Sequence, residues 1–544
     1  MKQKRKIRDE YVIAADQVAA RVRIVEGEGF VPVYQVEHAT IDKATTALLN
    51  SIRKELLKTT EVSVEEIFDI NIVKNLKARF AQKASEMIDK MLPGTNPQMK
   101  QFLIGSLLHE MLGLGRIELL LNDPNLEEIV VNSSKEPIWV YHKLHGWLKT
   151  NVYVATEEQI ENYASIIARR VGRQISTLKP LLDAHLVTQE RANATLFPIS
   201  SHGNTLTIRK SAQKAWTVTD FIANKTMTSE IAAFFWLCIQ YELNAIVAGG
   251  TASGKTALLN TLMPFIQPFH RIISIEDTRE LFLPDFLHWV PLVTREPNPE
   301  GKGEVTMLDL MINSLRMRPD RIVVGEIRRA RQAEVLFEAM HTGHSVYSTL
   351  HADTADQAMR RLTNPPIEIP TIMLESLHLL SVQYRDRRLG IRRIYQLAEI
   401  IPSGESEKEA TVKPNILYRC KANGEIVAHN ECVRIFDVLS MHTGMNEREL
   451  IEELGKRMDI LEWMTENNIN TVNTVGKIIA EFYKNENNVL RVVEKNQSPE
   501  RLLEEYYQEI AEVKKPVPIK RPETKKPLKS EPRKGKTKPS EVKK

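Results

Sequence analysis

The chain has 544 residues, 42% of them apolar, which is enough for about three to four domains with real cores. Its three cysteines, Cys238, Cys420 and Cys432, lie far apart without a C-x-x-C pair, which excludes a zinc knuckle and a disulfide scaffold and suits a reducing compartment. The longest apolar run, Ile231 to Cys238, falls short of the ~20 residues a membrane helix needs, and no apolar segment of a secretory signal follows the charged stretch Met1 to Arg8. The net charge of +4 hides an asymmetry: residues 513–544 hold eleven Lys, two Arg and three Glu, so they carry +10 and the remainder about −6.

In chain order, residues 1–100 are expected to form an α/β extension. Val31 to Val36 alternates like a strand, and Asp42–Leu57 and Val64–Met91 read as helices, the second ending before Pro93-Gly94. Residues 101–222 read as an α+β domain. A helix is expected from Phe102 to Leu121, with Leu103, Leu107, Leu108, Met111 and Leu112 on one face. Strands follow at 128–132 and 137–142, then a helix over 157–171 and strands at 192–197 and 205–209. The end of this block is rich in arginine: Arg169, Arg170, Arg173, Arg191 and Arg209.

Residues 223–400 alternate strand and helix, the pattern of a parallel sheet. Within them Gly249-Gly250-Thr251-Ala252-Ser253-Gly254-Lys255-Thr256 fits the phosphate-binding pattern G-x-x-x-x-G-K-[ST]. The apolar run Ala245–Ala248 precedes it and the helically spaced Ala257-Leu258-Leu259 follows, so strand, glycine loop and helix occur in the order the motif needs. The glycines let backbone N–H groups turn inward around phosphate, and the helix that starts there adds its positive end. Lys255 reaches the outer phosphates and the Thr256 hydroxyl can ligate Mg²⁺, so Gly249 to Ala257 are the expected nucleotide-binding residues. Three later apolar runs end in polar groups: 271–277 in Glu276 and Asp277, 321–326 in Glu326, and 345–351 in His351. In a parallel sheet those ends gather beside the loop. A carboxylate there can polarise water or hold Mg²⁺ through water. His341, His344 and His351 have no cysteine nearby and read as no zinc site. Residues 401–495 are expected to be a helical C-terminal subdomain after a strand-like Leu417-Tyr418-Arg419. Residues 512–544, with six prolines from Pro516 onward, are expected to be a disordered basic tail.

These stretches carry a resemblance. The P-loop, Ile275 to Leu281, Leu315 to Glu326 and Ser348 to Ala352 resemble the Walker A, Asp, Walker B and His boxes of the type II/type IV secretion ATPases, in the same order and spacing. Gly113 to Ile117, Asp123 to Ile129 and Thr207 to Lys210 resemble that family's N-terminal domain, and Glu449 to Leu454 with Ile460 to Met464 resembles its archaeal pilus and archaellum branch. The resemblance covers roughly residues 100–490. It implies a RecA-like P-loop nucleotidase domain behind an α+β N-terminal domain, ATP and Mg²⁺ as cofactors, and a homo-hexamer at the cytoplasmic face of the membrane, working on a polytopic membrane platform protein. It implies catalytic-site roles for Glu276 and Glu326, with Thr256 and Glu326 at the metal, a γ-phosphate sensor at His351, and nucleotide-facing arginines at Arg209, Arg191 and Arg173. Arg316, Arg318 and Arg328 are further candidates, placed between subunits. The chain departs from the family by lacking a four-cysteine zinc module, by Ala252 in the P-loop, and by Arg329 and Arg331 where glycine and glutamate are usual. A conjugation or protein-export ATPase, and a low-turnover nucleotide-binding scaffold, are the alternatives. The basic tail reads equally as a solvated charge run or as a contact to anionic lipid; nucleic acid is disfavoured because the tail has no aromatic residue for base stacking.

Overall fold

The computed structural model describes residues 6–16, 18–27, 29–38, 43–59, 70–186, 190–210, 215–298, 300–386, 388–403 and 411–503. The basic tail expected over 512–544 lies outside the described residues, as does the start of the helix expected from Val64.

The first 210 residues build one sheet. Its strands are β1 (Ile7–Ala15), β2 (Val18–Val25), β3 (Val33–His38), β4 (Leu126–Val131), β5 (Trp139–His142), β6 (Gly146–Thr150), β7 (Leu181–His185), β8 (Arg191–Thr195) and β9 (Thr205–Arg209). They lie in the order β1-β2-β3-β6-β5-β4-β9-β8-β7. β1 and β2 were not expected. β2 buries Val18, Ala20, Val22 and Ile24 and turns Arg21 and Arg23 outward, a period-2 pattern interrupted by charge. Arg23 sits between Glu10 of β1 and Glu37 of β3, at 3.2 and 2.8 Å.

Helices α1 (Lys43–Thr59), α2 (Ile70–Met91), α3 (Pro97–Leu112), α4 (Ile117–Leu121) and α5 (Glu157–Arg170) belong to this same block. α3 lies so close to the β1–β2 turn that a Cβ on Gly105 would overlap the Asp16 carbonyl. The expected helix 102–121 is therefore two helices. Its apolar periodicity continues, but Gly113-Leu114-Gly115 breaks the backbone: Gly115 takes φ +57° and Glu118 Oε1 accepts the Leu114 N–H at 2.8 Å. The expected boundary between residues 100 and 101 falls inside α3, and one core runs from Ile13 to Ile208. Buried Asp123 bolts the early strands to it, its Oδ2 accepting the hydroxyls of Tyr11 and Tyr34 at 2.7 and 2.5 Å.

The second sheet contains β10 (Ala245–Gly249), β11 (Ile272–Glu276), β12 (Trp289–Val293), β13 (Arg321–Val324), β14 (Ser345–Leu350), β15 (Leu379–Asp386), β16 (Ile391–Ser403), β17 (Thr411–Cys420) and β18 (Ile426–Ala428). The order is β12-β11-β13-β14-β10-β15-β16-β17-β18. The strands from β12 to β15 pair in parallel; β16, β17 and β18 continue the sheet antiparallel. β10, β11, β13 and β14 are buried along their whole length, because both faces are covered by helices and neither can alternate with polar residues. One face carries α6 (Val218–Ala223), α7 (Ser229–Gln240) and α8 (Lys255–Leu262); the other carries α9 (Met307–Ser314), α10 (Ala330–His341), α11 (Ala355–Thr363) and α12 (Thr371–Leu374).

The boundary expected at residue 400 falls inside β16, so the sheet of the nucleotidase extends to Ala428. The segment is helical only from α13 (Arg434–Thr443), followed by α14 (Glu447–Glu466), α15 (Val472–Lys484) and α16 (Glu486–Glu494). These helices share the core of α7 and α8. Fully buried Arg457 of α14 joins them: its guanidinium meets Glu453 at 2.6 Å and Gln240 at the end of α7 at 2.7 Å, and lies over the rings of Trp236 and Phe482.

Candidate nucleotide site

β10 runs between β14 and β15 and ends at Gly249, where the glycine loop begins. A side chain at Gly249 would meet Gln383 O and Ser253 Oγ at 2.6 and 2.5 Å, so the loop can pass here only as glycine. Gly254 caps α8 with φ +98°, and Ala252 at the loop apex holds φ +58°, a left-handed conformation rare outside glycine. The start of α8 thus points its free N–H groups into the cradle. Lys255 Nζ donates to the carbonyls of Gly249 and Gly250, both at 3.1 Å, and burial lowers its pKa. Thr256 and Ala257 follow in the first turn of α8.

The strand ends converge as their spacing implied. His351, just past β14, places Nδ1 3.4 Å from Lys255 Nζ and Nε2 2.9 Å from Glu326 Oε1. Burial, and then the Lys255 charge, lower the His351 pKa. The Glu326 carboxylate acts the other way, and the net effect favours the neutral ring. Glu326 Oε2 accepts from Arg328 at 2.8 Å, and the other arm of Arg328 reaches Asp277 Oδ2 at 2.8 Å. Lysine, histidine, glutamate, arginine and aspartate thus form one continuous chain of contacts. Arg328, placed between subunits on the sequence, sits inside this chain's own site. Arg361 Nη1 holds the His351 carbonyl at 2.8 Å.

Glu276 ends β11 and is only 2% exposed. Its Oε1 accepts the backbone N–H groups of Glu280 and Leu281 at 2.9 and 3.1 Å, while Oε2 is buried with no partner among the described residues. Burial pushes its pKa up to about 7, against the two backbone N–H groups that pull it down. Each glutamate has one buried oxygen without a hydrogen-bond partner among the described residues, but Glu326 lies against His351 and Arg328 while Glu276 has no ion-pair partner there.

The arginines of the first block divide. Arg191 is clamped by Asp183, Nε to Oδ1 at 2.9 Å and Nη2 to Oδ2 at 2.5 Å, which raises its pKa, and it lies within the field of Asp277 and Glu280. Arg173 bridges the blocks, bonding the Asp183 carbonyl and the Glu296 carboxylate in the loop after β12. Arg209 stands exposed at the end of β9, directly opposite Arg191, and makes no ion pair among the described residues. The outward face of β8 and β9 is thus turned toward the Asp277 edge, but Arg209 itself touches neither glutamate.

The glycine cradle and the buried, unpartnered Ser253 Oγ fit a phosphate chain, and the unpartnered Glu326 Oε1 beside His351 fits a divalent ion next to it. Thr256 and Glu326 are the residues that would hold the ion. Among the described residues no group of three or more His, Cys, Asp or Glu converges.

A glycine cradle at the C-terminal edge of a parallel sheet, with strand-end carboxylates beside it, defines a P-loop nucleotidase of RecA-like build. A family model described as type II/IV secretion system protein matches residues 185–491, and the chain belongs to the type II/IV secretion ATPase family. It is 34% identical over 412 residues to an uncharacterized protein of Methanocaldococcus jannaschii, covering 74% of each chain. It is 32% identical over 265 residues to the type IV secretion system protein PtlH of Bordetella pertussis, covering 45% of this chain and 77% of PtlH. Among solved structures, the VirB11 ATPase of the Brucella suis type IV secretion system matches with 26% identity and a TM-score of 0.27, over 51% of this chain and 90% of that one.

Proposed function

We propose that the chain is a Mg²⁺-dependent ATPase working as a homo-hexameric motor at the cytoplasmic membrane, where it drives assembly of a pilus-like or archaellum-like filament through a polytopic platform protein. The observation that carries hydrolysis is Glu276. A buried carboxylate with one free oxygen and a pKa of about 7, at a strand end beside a phosphate loop, is poised to take a proton from attacking water. Glu326 and Thr256 would hold Mg²⁺, which when bound neutralises charge on the phosphates. Lys255 and the glycine-loop N–H groups bind the phosphate chain, and His351 reports its outer end to Glu326. Arg191 and Arg209, on the first block, reach the site when that block closes, so closure and hydrolysis are coupled. No helix among the described residues is long and apolar enough to cross a membrane, which suits a motor held at the membrane by partners. The basic segment 513–544 adds attraction to anionic headgroups.

Phosphate release by the purified full chain, compared with Lys255→Ala, tests the motor. Equal and negligible release from both under oligomerising conditions would leave only a nucleotide-binding scaffold. The name of PtlH favours a second reading within the family, protein export by a type IV secretion system, and the type of membrane partner recovered with the chain separates it from filament assembly.

A further inference from the structure

The β15–β16 hairpin carries a charge arrangement that the nucleotide site as described does not use. Arg385 and Arg392 are cross-strand partners, directly opposite in the antiparallel register. Like charges so placed repel at close range. What surrounds them comes from two directions. On one side, Arg392 Nε donates to the carbonyl of Ala252 at the P-loop apex at 3.2 Å, and its Cδ lies 3.4 Å from where a Cβ of Gly254 would stand. On the other, Arg385 Nη2 donates to the Tyr141 hydroxyl of β5 at 2.5 Å, with its guanidinium 5.9 Å from that ring. Burial lowers the pKa of Arg392, Glu127 of β4 raises it and Arg385 lowers it further. The two arginines therefore bridge the P-loop to the middle strands β4 and β5 of the first sheet.

We propose that Arg385 and Arg392 are positioning residues that couple the seating of the first block, through Tyr141, to nucleotide affinity at the P-loop. The inference rests on the nucleotide reading of that loop. Tyr141 holds Arg385 in place, and Arg385 by repulsion drives the Arg392 charge toward the loop apex. Phosphate in the loop gains from that charge. By reciprocity, nucleotide strengthens the grip of the hairpin on Tyr141. No direct contact between Tyr141 and nucleotide is required.

The test is a double-mutant cycle on the full chain, with ATP affinity measured calorimetrically for Tyr141→Phe, Arg392→Ala and the pair. Tyr141→Phe keeps the ring and loses only the hydroxyl. It is expected to weaken binding at least about fivefold, the lower end of typical coupling. In the Arg392→Ala background the same change is expected to have no effect, and Arg392→Lys, which returns the charge, restores the response. Wild-type affinity in Tyr141→Phe, losses that multiply in the double variant, or no restoration by lysine would each overturn the relay. Should Arg392→Ala not fold, the cycle runs with Arg392→Gln. Lys255→Ala in the same titration separates the two readings. If it binds as the wild type does, the nucleotide assignment falls. If it loses binding while Tyr141→Phe is silent, only the relay does.

Discussion

Replacing Glu276 with glutamine separates its electrostatic cost from its chemistry. In the folded chain its pKa rises from the ordinary 4.5 to about 7. Between those values the unfolded chain has already released a proton that the folded chain still holds, so stability falls as pH rises through that window. At about 1.4 kcal/mol per pKa unit, the ionised carboxylate costs the fold about 3 kcal/mol above pH 7 and almost nothing below pH 4.5. Glu276→Gln cannot ionise, and its retained oxygen can still accept the N–H groups of Glu280 and Leu281. The variant is expected to match the wild type in melting temperature near pH 4.5 and to exceed it increasingly toward pH 8. Its turnover is expected to fall by about 10²- to 10⁴-fold, the range for loss of a general base. Calorimetric melts at several pH values, paired with phosphate release, read both. A melting difference that does not widen with pH would refute the buried ionisable carboxylate. Turnover within a few-fold of wild type would refute its role as base.

Four further outcomes are expected. Arg209→Ala should bind ATP almost as the wild type does yet hydrolyse it about 10³-fold more slowly; loss of binding as complete as in Lys255→Ala would end the closure model. Glu453→Ala leaves buried Arg457 without its carboxylate and should lower stability by about 3 kcal/mol, seen as a shifted denaturation midpoint. Gly105→Leu drives a side chain into the Asp16 carbonyl and should destabilise the first block by at least about 1–3 kcal/mol, checked by its thermal transition. Deleting 513–544 should abolish sedimentation with anionic vesicles while leaving hydrolysis in their absence unchanged; persistent sedimentation would assign the lipid contact elsewhere.

The nucleotide loop and the strand-end glutamates were legible in the sequence because each sits on a short apolar run bounded by chemistry that only a few residues supply. The gathering of Glu276, Glu326 and His351 follows from parallel pairing alone. What escaped depended on partners distant in the chain. Arg328 lies two residues from Glu326, but its second bond is to Asp277, 51 positions away, and no local pattern announces it. Arg392 is one of a run of arginines, and only its register opposite Arg385 sets it apart. β1 and β2 were hidden by charged residues on their outer face, and the helix break at Gly113–Gly115 by apolar spacing that continued across it. β16 was not read as a strand, and β17 only at Leu417–Arg419; β16 buries apolar residues toward both cores and so lacks alternation.

The first sheet has a mechanical consequence. Its β7–β8 end carries Asp183, Arg191 and the Arg173 link to Glu296, while β1 closes the opposite end. Nine strands span eight spacings of about 4.8 Å, or roughly 38 Å. Any rotation of this body that moves the arginine end also carries the β1 edge, about 38 Å away. With Asp123 tying Tyr11 and Tyr34 into the same body, the early strands and the arginines form one unit that would move together.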